Sequence, residues 1–299
     1  GVEQVDRVVE VLRGRGALVA DDRPSGRVPE PSPDGPEVVV LVEPDRERVA
    51  AELLAAAAGL GGRVTAIGIG AAADLSARGA DRVLNVDGTL HEDDLAALLA
   101  QRLADDPPWA VLVPGTAWGR HVASRLAARL CAGLTGDAVG LERRGDRLVA
   151  LKPAFGGRLV AEITCSSPIQ MATVRPGVLP LPEPRGPRRI EVEHLRGDVR
   201  GRVRVLERWR DDDADLLANA EVVVGVGVGV DPDDLPLVRQ CAEDLGAELC
   251  ATRKVTDAGW MPRARQVGIT GHSIAPRLYI AVGISGRFNH TIGVRGAGT

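Results

Sequence analysis

The run 251–290, ATRKVTDAGW…QVGITG…APRLYIAVGISGRFNH, places an arginine, a threonine, a serine and a histidine on glycine-rich turns around one apolar segment. Gly259, Gly268, Gly271, Gly283 and Gly286 let backbone N–H groups come close to a ligand, as a bound phosphate or ring requires. LYIAVG (278–283) has the length and composition of a buried parallel strand. ISG follows it, at the carboxyl end of that strand, where open α/β sheets bind ligands. The chemistry this spacing points to is the holding of a cofactor.

The elements that must position these residues are legible from hydrophobic periodicity. EVVVLVE (37–43), RVTAIGIG (63–70), RVLNVD (82–87) and WAVLVPG (109–115) read as strands. Between and after them lie helical stretches at 46–60, around 72–78, at 91–105 and from about 118 to 132. Such alternation predicts an α/β fold, a mainly parallel sheet with helices on both faces. Residues 136–176 change period and predict short strands (RLVALK, GRLVAEIT, IQMATVRPG) forming an antiparallel extension of the same sheet. PLPEPRGPRRI (180–190) is proline-rich and charged, and predicts a linker. A second α/β domain then reads strand 221–226, helix 233–246, strand 247–251, ligand loops 252–274, strand 278–283 and a helix from about 286. The expected divisions are 1–36 for an N-terminal extension, 37–185 for a first domain and 186–299 for the ligand domain. Within the extension, Val2, Val5, Val8, Val9, Val11 and Leu12 predict one amphipathic helix before a proline-rich connector. Gly1 is not an initiator methionine, and GVRGAGT stops where a further strand and helix are expected, so the numbered chain reads as trimmed.

Composition removes several function classes. A net charge of −4 gives no long-range attraction for nucleic acid, and four Trp, one Tyr and two Phe do not make a base-stacking platform. Cys131, Cys165, Cys241 and Cys250 are scattered without C-x-x-C or nearby histidine, which predicts free thiols in a reducing compartment and no metal. VVVGVGVGV (222–230) is too short to span a bilayer and no signal segment is evident, so no membrane insertion and a cytoplasmic location are expected.

The same residues carry a family likeness. The run 251–290 resembles the FAD-binding domain of the electron transfer flavoprotein α subunit, whose pattern is close to S-R-x-x-x-D-A-G-[WF]-x-P-x-x-x-Q-V-G-x-T-G followed by A-P-x-L-Y-I-A-V-G-I-S-G-A-x-Q-H. PGTAWGRHVASRLAARLCAGLTGD (114–137), KPAFGG (152–157), QMATVRPGVLP (170–180) and GADRVLNVD (79–87) are similar to the family's first domain, so the likeness covers roughly 37–299. The resemblance implies two α/β domains, the second a Rossmann-like flavin domain holding FAD. It implies a heterodimer with a β subunit contacted by the first domain, and a flavin domain that swivels on linkers like 180–190. It implies an electron carrier, not a bond-making enzyme, between flavin dehydrogenases and a quinone reductase.

The resemblance also assigns roles. His290 would donate to the flavin pyrimidine carbonyl and, as an imidazolium, favour an anionic reduced ring. Arg253 would lie against the isoalloxazine, and its permanent charge would raise the potential. Thr270 would sit near flavin N5, in a loop built by Gln266, Gly268 and Gly271. Ser285 and the turn at Gly286 would face the pyrophosphate, and Thr252 and Asn289 complete the candidate cofactor-binding set. Asp257 would shape its turn.

Departures are also plain. The family's S-G-G-R-G-L is VGVGVGV here, with Gly227 read as standing at the phosphate-binding arginine. A-x-Q-H is RFNH, which brings in Arg287, and Ile269 replaces a polar residue. These departures keep two alternatives open. One is a diverged paralogue without functional flavin, serving as a nucleotide-binding or scaffolding subunit. The other is a pyridine-nucleotide enzyme using Gly225, Gly227 and Gly229, although the G-x-G-x-x-G spacing and its acidic ribose partner are missing.

Overall fold

The computed structural model describes residues 26–32, 35–69, 75–88, 90–154, 159–196, 203, 205–207, 216–217 and 220–298. They fall into two compact units, one within 24–208 and one within 209–299. The amphipathic helix expected near the N-terminus and most of 197–215 lie outside the described residues.

In the first unit, valine- and leucine-rich runs form strands buried on both faces. These are β1 (Glu37–Val42), β2 (Arg63–Ile69), β3 (Arg82–Val86) and β4 (Ala110–Pro114). With β5 (Gly133–Ala138), β9 (Gln170–Val174) and β10 (Glu191–Leu195) they make a parallel sheet of order β10-β3-β2-β1-β4-β9-β5. One face is covered by α1 (Glu47–Gly59) through Leu53, Leu54 and Ala57, the other by α3 (Glu92–Asp105) and α4 (Ala117–Leu130) through Leu95, Leu99, Val122 and Leu126. Helix α2 (Leu75–Arg78) is a single turn. Thr116 fixes the start of α4 by accepting from the Gly119 N–H at 3.1 Å, a side-chain N-cap. The α/β architecture expected from the alternation is present.

The antiparallel segment differs from expectation. Strands β6 (Gly140–Arg144), β7 (Arg147–Ala154) and β8 (Leu159–Ile163) form a separate three-stranded sheet, while β9 runs parallel inside the main one, between β4 and β5. All five residues of β9 are buried, the condition of a strand covered on both faces, whereas β8 exposes Leu159 and Val160.

The linker reading of 180–190 is also revised. Arg185 is among the most deeply buried side chains. Its Nε donates to Ser76 O at 3.0 Å, Nη1 to Pro29 O at 2.9 Å and Nη2 to Ala80 O at 2.9 Å, with Asp81 as its ion-pair partner. A planar guanidinium with five donors can satisfy several carbonyls at once, so this arginine pins the proline-rich run to the first unit. Strand β10 then pairs with β3, so 191–195 belongs to this sheet and not to the ligand domain expected from residue 186.

Glu52, on the buried side of α1, accepts from the Gly177 N–H at 2.8 Å. Burial raises its pKa above 4.5, more than that hydrogen bond and Arg48 lower it. A carboxyl raised on folding gives stability below its unfolded value that is lost as pH climbs through the folded one. Glu52→Gln should therefore flatten the first unit's stability loss above about pH 4.5, measured by urea unfolding across pH. An unchanged slope would contradict this.

The second unit is smaller. Strands β11 (Val222–Val226), β12 (Glu248–Ala251) and β13 (Leu278–Val282) run parallel in the order β12-β11-β13. Helix α5 (Leu235–Asp244) packs Val238 and Ala242 on Val224 and Val226, beside Val255 and Met261. The opposite face gathers Val223, Cys250, Val267 and Ile274, with Tyr279 against them. Gly225 is required there: a Cβ would lie 1.8 Å from the Tyr279 hydroxyl. Short helices α6 (Arg253–Asp257) and α7 (Phe288–Thr291) begin beyond the strand ends.

Among the described residues, no helix is long and apolar enough to cross a membrane and no cluster could hold a metal ion. The four cysteines are free.

Candidate cofactor site

All three strands of the second unit end on the same edge, and the loops leaving them enclose a cavity of about 790 Å³. Gly227, Val228 and Gly229 come from the end of β11, Thr252, Arg253, Lys254 and Asp257 from beyond β12, and Gly283, Ile284 and Ser285 from beyond β13. The turn 267–270 and three residues near α7 (Arg287, Asn289 and His290) close it. Ligands collect at this edge of a parallel sheet because the loops there can be shaped independently of the core.

The expected residues separate into two groups. Thr252, Arg253, Gly268, Thr270, Ser285, Asn289 and His290 line the cavity, while Gln266, Gly271 and Gly286 are outside its lining. Gln266 is 1% exposed and works as a brace. Its Oε1 accepts from Thr256 Oγ1 at 2.8 Å and its Nε2 donates to Thr270 Oγ1 at 2.8 Å. Because the amide donates to the Thr270 oxygen, the threonine's own proton is left to point elsewhere. Gly268 has φ +135°, a conformation closed to most L residues, and a Cβ there would meet Asn289 O at 2.4 Å.

His290 is 7% exposed, and both ring nitrogens are engaged within the protein. Nδ1 lies 3.0 Å from Val267 O and Nε2 lies 2.6 Å from the Tyr279 hydroxyl. Burial lowers its pKa, outweighing the Val267 bond. The expected donation from His290 into the cavity would draw on Nε2, the nitrogen that here meets the Tyr279 hydroxyl.

Charge in the cavity is positive. Arg253 pairs with Asp257 at 3.1 Å, while Lys254 and Arg287 have no ion-pair partner among the described residues. The backbone N–H groups of Ser285, Gly286 and Arg287 likewise have no acceptor among the described residues. Consecutive free donors beside uncompensated cations suit an anionic diphosphate. The Gly227 reading is corrected here. A Cβ on Gly227 would sit 2.1 Å from Gly283 O, so no side chain fits, whereas Val228 is 48% exposed and lines the cavity. Of the two positions, Val228 is the one whose side chain can reach the cavity. Lys254 is the charged lining residue that sequence reasoning passed over; it follows Arg253 directly, which was its only signal.

Residues 39–198 match the electron transfer flavoprotein domain, and residues 216–295, which include the whole cavity, match the electron transfer flavoprotein FAD-binding domain. The chain belongs to the electron transfer flavoprotein α subunit family. It is 38% identical to Protein FixB of Bradyrhizobium diazoefficiens over 75% of this chain and 62% of that protein. It is 34% identical to the electron transfer flavoprotein subunit alpha of Thermoanaerobacterium thermosaccharolyticum over 76% of this chain and 72% of that one. Against the Bacillus subtilis electron transfer flavoprotein subunit alpha the identity is 30%, over 87% and 85%. The chain spans less than two thirds of the FixB proteins of B. diazoefficiens and Azorhizobium caulinodans, 62% and 65% of their lengths. By family, the second unit is a flavin-binding domain.

Proposed function

We propose that this chain is the FAD-holding α subunit of a heterodimeric electron transfer flavoprotein. It pairs with a β subunit, takes electrons from flavin dehydrogenases and passes them to a quinone reductase or another acceptor. The observation that carries this reading is the positively charged, glycine-lined cavity lying wholly within the residues matched to the FAD-binding domain. FAD would supply reversible electron uptake and release, chemistry that no side chain here provides.

The chain's own residues bind, orient and tune. Arg253 holds a permanent charge at the cavity wall, steadied by Asp257. Thr270, with its oxygen occupied by Gln266, offers its proton as a donor. The free N–H groups at 285–287 and the side chains of Lys254 and Arg287 hold the diphosphate. Val267 and Ile284 give the cavity apolar wall that would exclude water from a bound ring. A cofactor-free scaffold has no use for open donors and unpaired cations around one cavity. The test is co-purification with the β subunit: one FAD per dimer supports the reading, and a dimer that takes up no flavin overturns it.

Val228→Arg should tighten FAD binding about tenfold or more, since one charge-assisted hydrogen bond contributes roughly 1.5–3 kcal/mol. Titration of the flavin-free protein measures it. Unchanged or weaker affinity would show that Val228 does not face the phosphates.

A further inference from the structure

The C-terminal edge of the first unit's sheet carries a basic cluster that the cofactor site does not use. Strand β5 leaves regular pairing there. Its register against β9 shifts between Thr135 and Ala138, so Gly136 and Asp137 together stand opposite Thr173. Asp137 takes φ +58°, a left-handed conformation that aspartate tolerates better than most residues. Its N–H donates to Thr173 Oγ1 at 2.9 Å, and its Oδ1 accepts from Arg120 Nε at 3.1 Å and Nη2 at 2.7 Å. The bulge thus turns one carboxylate towards the first turn of α4. Arg175, the residue after β9, joins this pair. Its N–H donates to Ala138 O at 3.0 Å, and its Cα lies 3.3 Å from the place of a Cβ on Gly115, so it sits between the ends of β4 and β5. Alternation along β9 puts its side chain on the face of Met171, which α4 covers. Arg175 is 9% exposed, and its Nε meets no acceptor among the described residues. A third cation approaches from β7. Lys152 Nζ lies 3.9 Å from the place of a Cβ on Gly136, as does Thr173 Oγ1. Lys152 has no ion-pair partner among the described residues.

We propose that this cluster is a second anion site, one that takes a phosphate group, free or as the end of a larger molecule. Among the described residues, Arg120, Lys152 and Arg175 are set against Asp137 alone, three positive charges against one negative. A phosphate carries about −1.5 to −2 near neutral pH and matches that surplus, whereas a carboxylate brings only a single charge. Guanidinium forks also fit phosphate oxygens. Burial lowers the pKa of Arg175, with Asp137 opposing and Arg120 adding to the effect, so a desolvated cation stands here without the partner that buried charges need. Glycine at 136 leaves space among these groups. The start of α4 is not the site: Thr116 caps it and donates in turn to Glu43 at 2.6 Å. Arg120 and Asp137 stay partly exposed, which gives the ligand a way in.

None of this rests on the FAD reading. The full chain is titrated calorimetrically with sodium phosphate, against sodium chloride at equal ionic strength. Saturable phosphate uptake is expected in the wild type. It should weaken about tenfold or more in Arg175→Met and in Lys152→Gln, as for a lost charge-assisted hydrogen bond. Asp137→Asn keeps a residue suited to φ +58° and removes the opposing charge, so it should bind phosphate more tightly. A merely structural Asp137 would not produce that gain. Lys152→Gln and Asp137→Asn decide the matter if Arg175→Met does not fold. Glycerol phosphate binding as well as inorganic phosphate makes the ligand the end of a larger molecule; inorganic phosphate alone makes it the free ion. Heat from phosphate no greater than from chloride overturns the proposal. So does wild-type affinity in either cation variant, since the anion would then be held elsewhere. Acetate binding as tightly as phosphate also overturns it, and would point to a partner's carboxylate.

Discussion

Gly268→Ala should cost about 3 kcal/mol or more in the second unit and weaken flavin binding about a hundredfold. Two effects add. At φ +135° an alanine is strained whatever space it has, and its Cβ would press on Asn289 O at 2.4 Å and on His290 Cα at 3.3 Å. Relief would require α7 to move away from the 267–270 turn, opening the floor of the cavity. Gly286→Ala is the control. Its φ is +68° and a Cβ there meets nothing within 4 Å, so only the modest left-handed penalty of about 1 kcal/mol applies. Thermal unfolding and flavin titration of both variants decide the matter. Equal effects at the two positions would mean that the turn is looser than its geometry indicates.

Arg185→Ala should destabilise the first unit by about 3–5 kcal/mol, the usual cost of breaking a buried ion pair from one side. Asp81 keeps only the Val64 N–H, at 2.9 Å, the carbonyls of Pro29 and Ala80 lose the guanidinium, and that of Ser76 is left with the Gly79 N–H at 3.3 Å. Arg185→Lys should recover little of this, because one ammonium cannot reach four acceptors arranged around a planar fork. Urea unfolding followed on the first unit measures the change. A loss below about 0.5 kcal/mol, as for an ordinary surface arginine, would contradict the burial seen here.

The β/α alternation was legible because valine runs and alanine-rich helical stretches differ in period, and every strand of the second unit falls where its apolar run does. Partners were less legible. RLVALK alternates as a strand should, yet alternation does not say which sheet it joins. IEVEHL is half-exposed and its place beside β3 depends on a pairing more than a hundred residues away in sequence. Arg185 in PEPRGP looks like a solvated linker residue, since its burial arises only when carbonyls from 29, 76 and 80 converge.

The site divides in the same way. Glycines and loop positions follow from spacing, and most of the expected polar residues do line the cavity. The Gly-Val repeat at 225–230 is ambiguous by one residue, and only the approach of Gly283 O to Gly227 settles which position carries a side chain into the cavity. Gln266 looks like a ligand contact in sequence, although its amide is spent between Thr256 and Thr270. His290 looks free until Tyr279, eleven residues earlier, is found against it.

Flavin content of the purified heterodimer tests the central claim most directly. FAD released by denaturation and counted against protein should equal one per α subunit in the wild type and fall to near zero in Gly268→Ala. A colourless wild-type heterodimer that takes up no added FAD would contradict the account.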